Sequence, residues 1–245
     1  MDKVTRGLVL RETKYKEADK ILTVLTESDG RITVSARGAR RKSSKIGAAA
    51  QLLAFSEMTL FEYRGRFTLR EASVIEMFPG LRADISLLAL GSYFAELLEY
   101  VSMENVPEGE LLSLGLNALY AVSELKAEPE KVKAAFELRL MCQAGFEPAL
   151  SGCAGCGAEP EQAFFDMAGG RLLCEECAPP GLSRLSPGVL AAARYVVAAE
   201  PKKLFSFKLS EPALKEFSAF CERYALAQIE RDFRTLAFWK QVKSV

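Results

Sequence analysis

Two Cys-x-x-Cys pairs constrain this sequence more than any other feature. Seventeen residues separate the pair Cys153/Cys156 from the pair Cys174/Cys177, and this spacing is typical of a structural zinc site with four thiolate ligands. Glycines within and beside the first pair allow the tight backbone turn that directs both sulfurs toward one ion. We therefore predict one Zn²⁺ bound by these four cysteines. Two disulfides, unligated thiols and a redox dithiol are the alternatives, and the last requires only one such pair.

The same residues argue against catalysis. Four thiolates complete the coordination of zinc and leave no position for water, whereas a catalytic zinc keeps one position open. The sequence contains no histidine, which removes the commonest nucleophile–base pairs and general acid–base groups. It also has neither a Gly-x4-Gly-Lys-Ser/Thr loop nor a Gly-x-Gly-x-x-Gly loop for nucleotide phosphates. We predict that the chain is not an enzyme; an enzyme with a structural zinc is the alternative. The remaining cysteines, Cys142 and Cys221, lie in helical patterns and are predicted to be core residues.

The formal net charge is zero, but charge is distributed unevenly along the chain. Residues 1–80 carry 15 Lys/Arg and 10 Asp/Glu, whereas residues 81–245 carry 17 and 22. No acidic residue lies between Asp29 and Glu57. Six basic residues lie in that interval: Arg31, Arg37, Arg40, Arg41, Lys42 and Lys45. Such a cluster is typical of a surface that binds a polyanion, and a solvated basic loop is the alternative.

The N-terminal third has the pattern of a small β-barrel. Predicted strands span residues 3–12, 19–27, 31–37, 52–63 and 67–76, with a two-residue Asp29-Gly30 turn before the third. In the third strand, apolar residues alternate with polar ones, which buries one face and presents Arg31 and Arg37 to solvent. Five strands without a long intervening helix favour an oligonucleotide/oligosaccharide-binding (OB) barrel, with an SH3-like barrel as the alternative.

The pattern changes to helices after residue 81. Asp84, Ser186 and Ser210 are predicted N-caps, and Gly145 is predicted to end a helix. The fold class is therefore α+β and multidomain. We assign residues 1–80 to an OB-like nucleic-acid-binding barrel, residues 81–245 to a helical domain, and residues 151–180 to a four-cysteine zinc segment inserted in it. The sequence has no run of 18 apolar residues and no signal-peptide pattern, which predicts a cytoplasmic protein.

In this order, the features resemble the RecO family of bacterial DNA recombination and repair proteins. The resemblance covers essentially the whole chain. It is carried by GLVLRETKYKEADKILTVLTESDGRI near the N-terminus, the basic SARGARRKSSK, GFEPALSGCAGCG leading into the cysteines, and RDFRTLAF near the C-terminus.

The resemblance implies a nonenzymatic, nucleoid-associated recombination mediator. Such a protein binds single- and double-stranded DNA, anneals strands, contacts RecR and the C-terminal tail of the single-stranded DNA-binding protein SSB, and helps load RecA on SSB-coated DNA. The metal would stabilise the fold without performing chemistry. A zinc-containing RNA-binding or transcription-associated OB-fold factor is the alternative, because OB surfaces accept RNA and DNA alike.

The candidate nucleic-acid-binding residues combine phosphate-neutralising cations with one aromatic side chain. They are Arg31, Arg37, Arg40, Arg41, Lys42, Lys45, Arg64, Arg66 and Tyr15. Tyr15 lies between two lysines in a predicted loop, where its ring can stack on a base. Phe61, Tyr63 and Phe67 are either further stacking residues or barrel core, and the strand pattern favours core.

Overall fold

The N-terminal part of the protein is a closed five-stranded barrel, as predicted. The computed structural model describes residues 2–243. The barrel strands are β1 (Asp2–Tyr15), β2 (Asp19–Thr26), β3 (Gly30–Ala36), β4 (Phe55–Tyr63) and β5 (Arg66–Glu76). Strand β1 pairs antiparallel with both β2 and β4, and β3 closes the barrel by parallel pairing with β5. The sequence predicted an OB-like barrel without a strand order, and the order in the structure is β1-β2-β3-β5-β4.

Alternating apolar residues of the strands fill the barrel. On β3, Ile32, Val34 and Ala36 are buried as the period-two pattern predicted. The segment between β3 and β4 contains turns rather than a helix, yet Ala39 and Ile46 from this segment pack into the same core. Burial of these two apolar side chains offsets part of the entropy cost of ordering the segment and gives it one position.

The first two hairpins differ from expectation at their tips. The pairing of Thr26 with Gly30 leaves a three-residue loop instead of the predicted two-residue turn. The Thr26 side chain makes this possible, because its Oγ1 accepts a hydrogen bond from the backbone N–H of Asp29 at 3.1 Å. Tyr15, predicted in a loop, is the last residue of β1 and pairs with Asp19.

Seven α-helices lie within residues 2–243. They are α1 (Pro79–Ala83), α2 (Ile85–Val101), α3 (Gly109–Ser123), α4 (Pro129–Gln143), α5 (Pro187–Ala198), α6 (Glu211–Ile229) and α7 (Arg234–Val242). The Asp84 carboxylate accepts hydrogen bonds from two N–H groups at the start of α2, and the Ser186 hydroxyl caps α5. Gly145 follows α4 with φ +89°, where a left-handed residue ends a helix. A bilayer-crossing helix needs about 20 mostly apolar residues, and none of the helices within residues 2–243 meets that requirement.

The chain packs as two compact units. One contains the residues up to Lys126 together with those from Phe233 onward, and the other is Ala127–Asp232. The barrel thus shares its unit with α1, α2, α3 and α7, because α2 and α3 pack on β1 and β2 while α7 packs on α2. A division into domains at residue 80 stays a prediction, and the boundary between the two compact units does not follow it.

The second unit joins three helices to a small sheet that the sequence pattern did not predict. Its strands are β6 (Ala163–Asp166), β7 (Arg171–Leu173) and β8 (Ser183–Leu185), in the order β7-β6-β8. The Phe165 ring packs edge-on against Phe220 and Tyr224 of α6, with centroids 5.0 and 5.5 Å apart. This aromatic cluster attaches the cysteine segment to α6, and Gln228 of the same helix also donates to the Met167 carbonyl at 2.7 Å.

Candidate metal centre and nucleic-acid interface

The four cysteines of the two pairs converge on one point. Their Sγ atoms all lie within 4.8 Å of one another, and the sulfurs of Cys156 and Cys174 are 3.8 Å apart. A tetrahedral zinc with bonds of about 2.3 Å requires sulfur–sulfur distances of about 3.8 Å. This confirms the predicted cluster, and the arrangement fits a metal ion held by four thiolates.

Backbone hydrogen bonds form the two turns that aim the sulfurs. In the first turn, Cys153 N–H donates to the Ala158 carbonyl, and Gly157 N–H donates to the Cys153 carbonyl, both at 2.8 Å. In the second, Ala178 N–H donates to the Cys174 carbonyl at 2.9 Å. A Cβ at Gly155 would lie 2.9 Å from the sulfur of Cys177. Glycine is therefore required between the first two ligands.

Without a cation, four thiols at this distance cannot all ionise. Backbone N–H groups, that of Cys174 first among them, hold the pKa of Cys153 at about 6. The neighbouring thiols Cys174 and Cys153 raise the pKa of Cys177 to about 12. A divalent cation removes this opposition, since metal binding deprotonates coordinating thiols.

The other two cysteines pack in the helices. Cys221 is fully buried on α6, and burial raises the pKa of its thiol well above the ordinary value. Cys142 is half-buried, burial raises its pKa to about 11, and its thiol donates to the Leu138 carbonyl. Both thiols stay protonated at neutral pH. The core prediction is confirmed for Cys221, whereas Cys142 is only partly buried.

The basic loop, residues 37–45, presents most of the predicted cations to solvent. Its exposed basic residues are Arg37, Arg40, Arg41, Lys42 and Lys45. Ala39 within the loop and Ile46 directly after it are buried in the barrel core. The two buried side chains hold the backbone of the loop against the barrel, and the exposed basic side chains point away from it.

Arg31 was predicted to face solvent, but it is only partly exposed, with 28% of its side chain accessible. Its guanidinium donates to the Glu99 carbonyl at 2.5 Å and lies 3.4 Å from the Glu104 carboxylate. The end of α2 and the residues that follow it cover this end of β3, which the alternation in the strand gives no sign of. The other outward arginine of the pattern, Arg37, is exposed as expected.

Arg64 and Arg66, the remaining predicted cations, lie at and beside the β4–β5 hairpin, and Arg66 shares one sheet face with Arg37. Ser35 pairs with Thr68 across the β3–β5 seam. Arg37 lies two residues after Ser35, and Arg66 lies two residues before Thr68, so both share the outer face of the sheet. Because the two strands run parallel, these arginines are four residues apart along the seam, which is about 13 Å. Arg64 lies at the tip of the β4–β5 hairpin, exposed and in the left-handed region at φ +50°.

The aromatic candidates separate into exposed and packed rings. Tyr15 is 48% exposed with the Lys16 ammonium 5.3 Å from its ring centre, and Tyr63 is 60% exposed beside Arg64. Phe67 packs against the barrel core. The preference for core is therefore wrong for Tyr63, because it lies on the outward face of β4, opposite to the buried Met58 and Leu60.

Comparison with known proteins identifies the family. A family model described as the N-terminal part of recombination protein O matches residues 1–78, and the model of its C-terminal part matches residues 82–237. The chain belongs to the RecO family. The DNA repair protein RecO of Acetivibrio thermocellus is 33% identical over 244 residues, covering 98% of this chain and 97% of that protein. The RecO protein of Symbiobacterium thermophilum is 32% identical, covering 97% of this chain and 96% of that protein.

RecO membership confirms the resemblance and places the chain in a family of DNA repair proteins. The four-cysteine cluster lies within the residues matched by the C-terminal RecO model, and the basic loop within those matched by the N-terminal one. The candidate metal centre therefore lies in the C-terminal RecO domain, and the candidate nucleic-acid interface lies in the N-terminal one.

Proposed function

We propose that this RecO-family chain is a nonenzymatic recombination mediator whose barrel binds single- and double-stranded DNA. The observation that carries the proposal is the basic loop, in which five exposed cations lie within nine residues. Cations at this density neutralise consecutive phosphates, and such contacts bind DNA with little regard to sequence. Arg64 and Arg66 extend the surface, and Tyr15 offers a ring for base stacking. Arg31 has the weakest support, because its guanidinium already contacts Glu99 and Glu104.

Phosphate contacts also support an annealing role. A strand held by its backbone keeps its base edges free, so a complementary strand can pair with it. Family membership supports a place in recombinational repair. We extend this to contacts with RecR and the SSB C-terminal tail and to help in loading RecA on SSB-coated DNA.

The metal of the cysteine cluster is proposed to be Zn²⁺. Four thiolates suit this soft, tetrahedral ion and leave no coordination position for water. The ion would therefore hold the two turns together and supply structure alone.

The double substitution Arg41→Ala/Lys42→Ala should weaken single-strand binding and its dependence on salt. Each cation that no longer neutralises a phosphate lowers the slope of log affinity against log salt by about 0.7, so the double variant lowers it by about 1.4. Titration of labelled single strands over a salt series measures this slope. Arg40 is left intact because its guanidinium donates to the Glu17 carbonyl at 2.9 Å.

The matched control is Lys202→Ala/Lys203→Ala, which removes two exposed lysines from the second unit. It should keep the wild-type slope. An unchanged slope in the Arg41/Lys42 variant would show that the basic loop is only solvated.

Competition with RNA of the same length addresses the RNA-binding alternative, since preferential RNA binding would contradict the DNA assignment.

Homogeneous protein is expected to show no turnover of ATP and no cleavage or ligation of DNA. The sequence contains no histidine and no phosphate-binding loop. The measurement is product formation at high protein concentration, compared across chromatographic fractions. Activity that follows the protein at constant specific activity and is lost on a point substitution in this chain would refute the nonenzymatic assignment.

A further inference from the structure

The tip of the β1–β2 hairpin is hydrogen-bonded to the start of the basic loop. The Asp19 carboxylate accepts a hydrogen bond from the backbone N–H of Gly38 at 2.7 Å. Gly38 has φ +68°, a left-handed conformation that glycine adopts without strain. The loop thus leaves β3 through a turn that one carboxylate fixes, directly between Arg37 and Arg40.

Further bonds join the same two segments. Arg40 N–H donates to the Ala18 carbonyl at 2.9 Å, and the Arg40 guanidinium donates to the Glu17 carbonyl at 2.9 Å. Beyond the basic loop, the Lys20 ammonium donates to the Ala50 carbonyl at 2.8 Å. The hairpin therefore holds the segment after β3 at both ends, and Asp19 supplies the only acidic side chain among these bonds.

We propose that Asp19 is a positioning residue for nucleic-acid binding, one that strengthens binding although its charge repels phosphate. The inference rests on the proposed function of the basic loop. A loop ordered before binding does not lose that conformational entropy when DNA arrives, so its cations bind more tightly. The carboxylate acts through Gly38 and the loop, without touching DNA.

Charge and position predict opposite results at this residue. If only charge matters, removing an acid beside a phosphate site tightens binding, because a repulsion disappears. If position matters, removing the acceptor releases the Gly38 turn and weakens binding. Asparagine separates the two effects, since its side-chain oxygen accepts the same hydrogen bond without the charge. Glutamate does the reverse: it keeps the charge, but its extra methylene displaces the carboxylate from the Gly38 N–H.

The experiment is single-strand titration over a salt series with Asp19→Ala, Asp19→Asn and Asp19→Glu. Asp19→Ala and Asp19→Glu should each weaken binding about five- to tenfold, the net value of one hydrogen bond. Their salt slope should stay at the wild-type value, because no phosphate contact is removed. Asp19→Asn should bind at least as tightly as wild type. Exchange of the Gly38 amide hydrogen should be faster in the alanine and glutamate variants and unchanged in the asparagine variant.

Glu17→Gln is the matched control, because it removes an exposed acid from the same hairpin while its backbone carbonyl still accepts from Arg40. It should bind as tightly as wild type or more tightly. Wild-type or tighter binding by Asp19→Glu overturns the positioning role, and this comparison still decides if the alanine variant does not fold. An unchanged salt slope in Arg41→Ala/Lys42→Ala would instead refute the nucleic-acid site itself, and the positioning role with it.

Discussion

Cys153→Ser is expected to release the metal and unfold residues 151–180 while the barrel stays folded. Cys153 is 3% exposed and lies at the centre of the first turn. The two strands within this segment, β6 and β7, are only four and three residues long. A structural zinc contributes on the order of 10 kcal/mol to folding of its site near neutral pH. Metal analysis of protein purified without chelator should give one zinc per wild-type chain and less than one per variant chain.

Hydrogen exchange followed by mass spectrometry locates the effect. Peptides from 151–180 should lose protection in Cys153→Ser, and peptides from β1–β5 should keep it, because they lie in the other compact unit. Cys142→Ser is the matched control, since a serine hydroxyl can donate to the Leu138 carbonyl as the thiol does. This control should keep its zinc. Wild-type protein without metal, or a metal-free variant with a protected 151–180 segment, would contradict the structural role.

Lys133→Met is expected to destabilise the second unit by about 3–5 kcal/mol. The Lys133 ammonium lies 2.9 Å from carboxylate oxygens of both Glu137 and Glu222, and its side chain is completely buried. Burial alone lowers the pKa of Lys133, but the two carboxylates outweigh it and raise the pKa above its ordinary value. The lysine is therefore charged at neutral pH, and methionine removes the cation that these two acids share.

Denaturant unfolding at pH 7, with hydrogen exchange of α4 and α6, measures this destabilisation. The control is Lys215→Met, which breaks an ion pair of similar length with Glu211 on the exposed face of α6 and should leave unfolding nearly unchanged. Adding Glu137→Leu and Glu222→Leu to Lys133→Met should recover much of the stability, because apolar side chains then replace the whole cluster. Equal stability of Lys133→Met and Lys215→Met would show that the buried cluster contributes no more than a surface pair.

Local patterns predicted the elements well because their causes are local. The alternation of Ile32, Val34 and Ala36 follows from one buried strand face, and Asp84 and Ser186 cap helices with their own side chains. The cysteine spacing predicted the metal cluster for a similar reason, since each pair forms its own turn.

What escaped prediction depends on contacts between distant segments. The charge of Lys133 is typical of a helix surface, and its burial arises only when α4 packs on α6. Arg31 fits the outward positions of β3, and its contact with Glu99 appears only when α2 is placed. In the sequence, Asp19 looks like any acidic residue of a hairpin, and its hydrogen bond with Gly38 forms only when the basic loop folds against that hairpin. A single sequence carries no periodic signal for such pairs.

The return of the chain to its first unit sets an order for folding during synthesis. Helix α7 and Phe233 directly before it complete that unit. The Phe233 ring lies 5.9 Å from that of Tyr93 on α2, and the Thr235 hydroxyl donates a hydrogen bond of 2.6 Å to Glu96. On the ribosome, Ala127–Asp232 emerges before α7 does. The second unit can therefore finish folding while the first, whose barrel was made earliest, still exposes the part of α2 against which α7 packs.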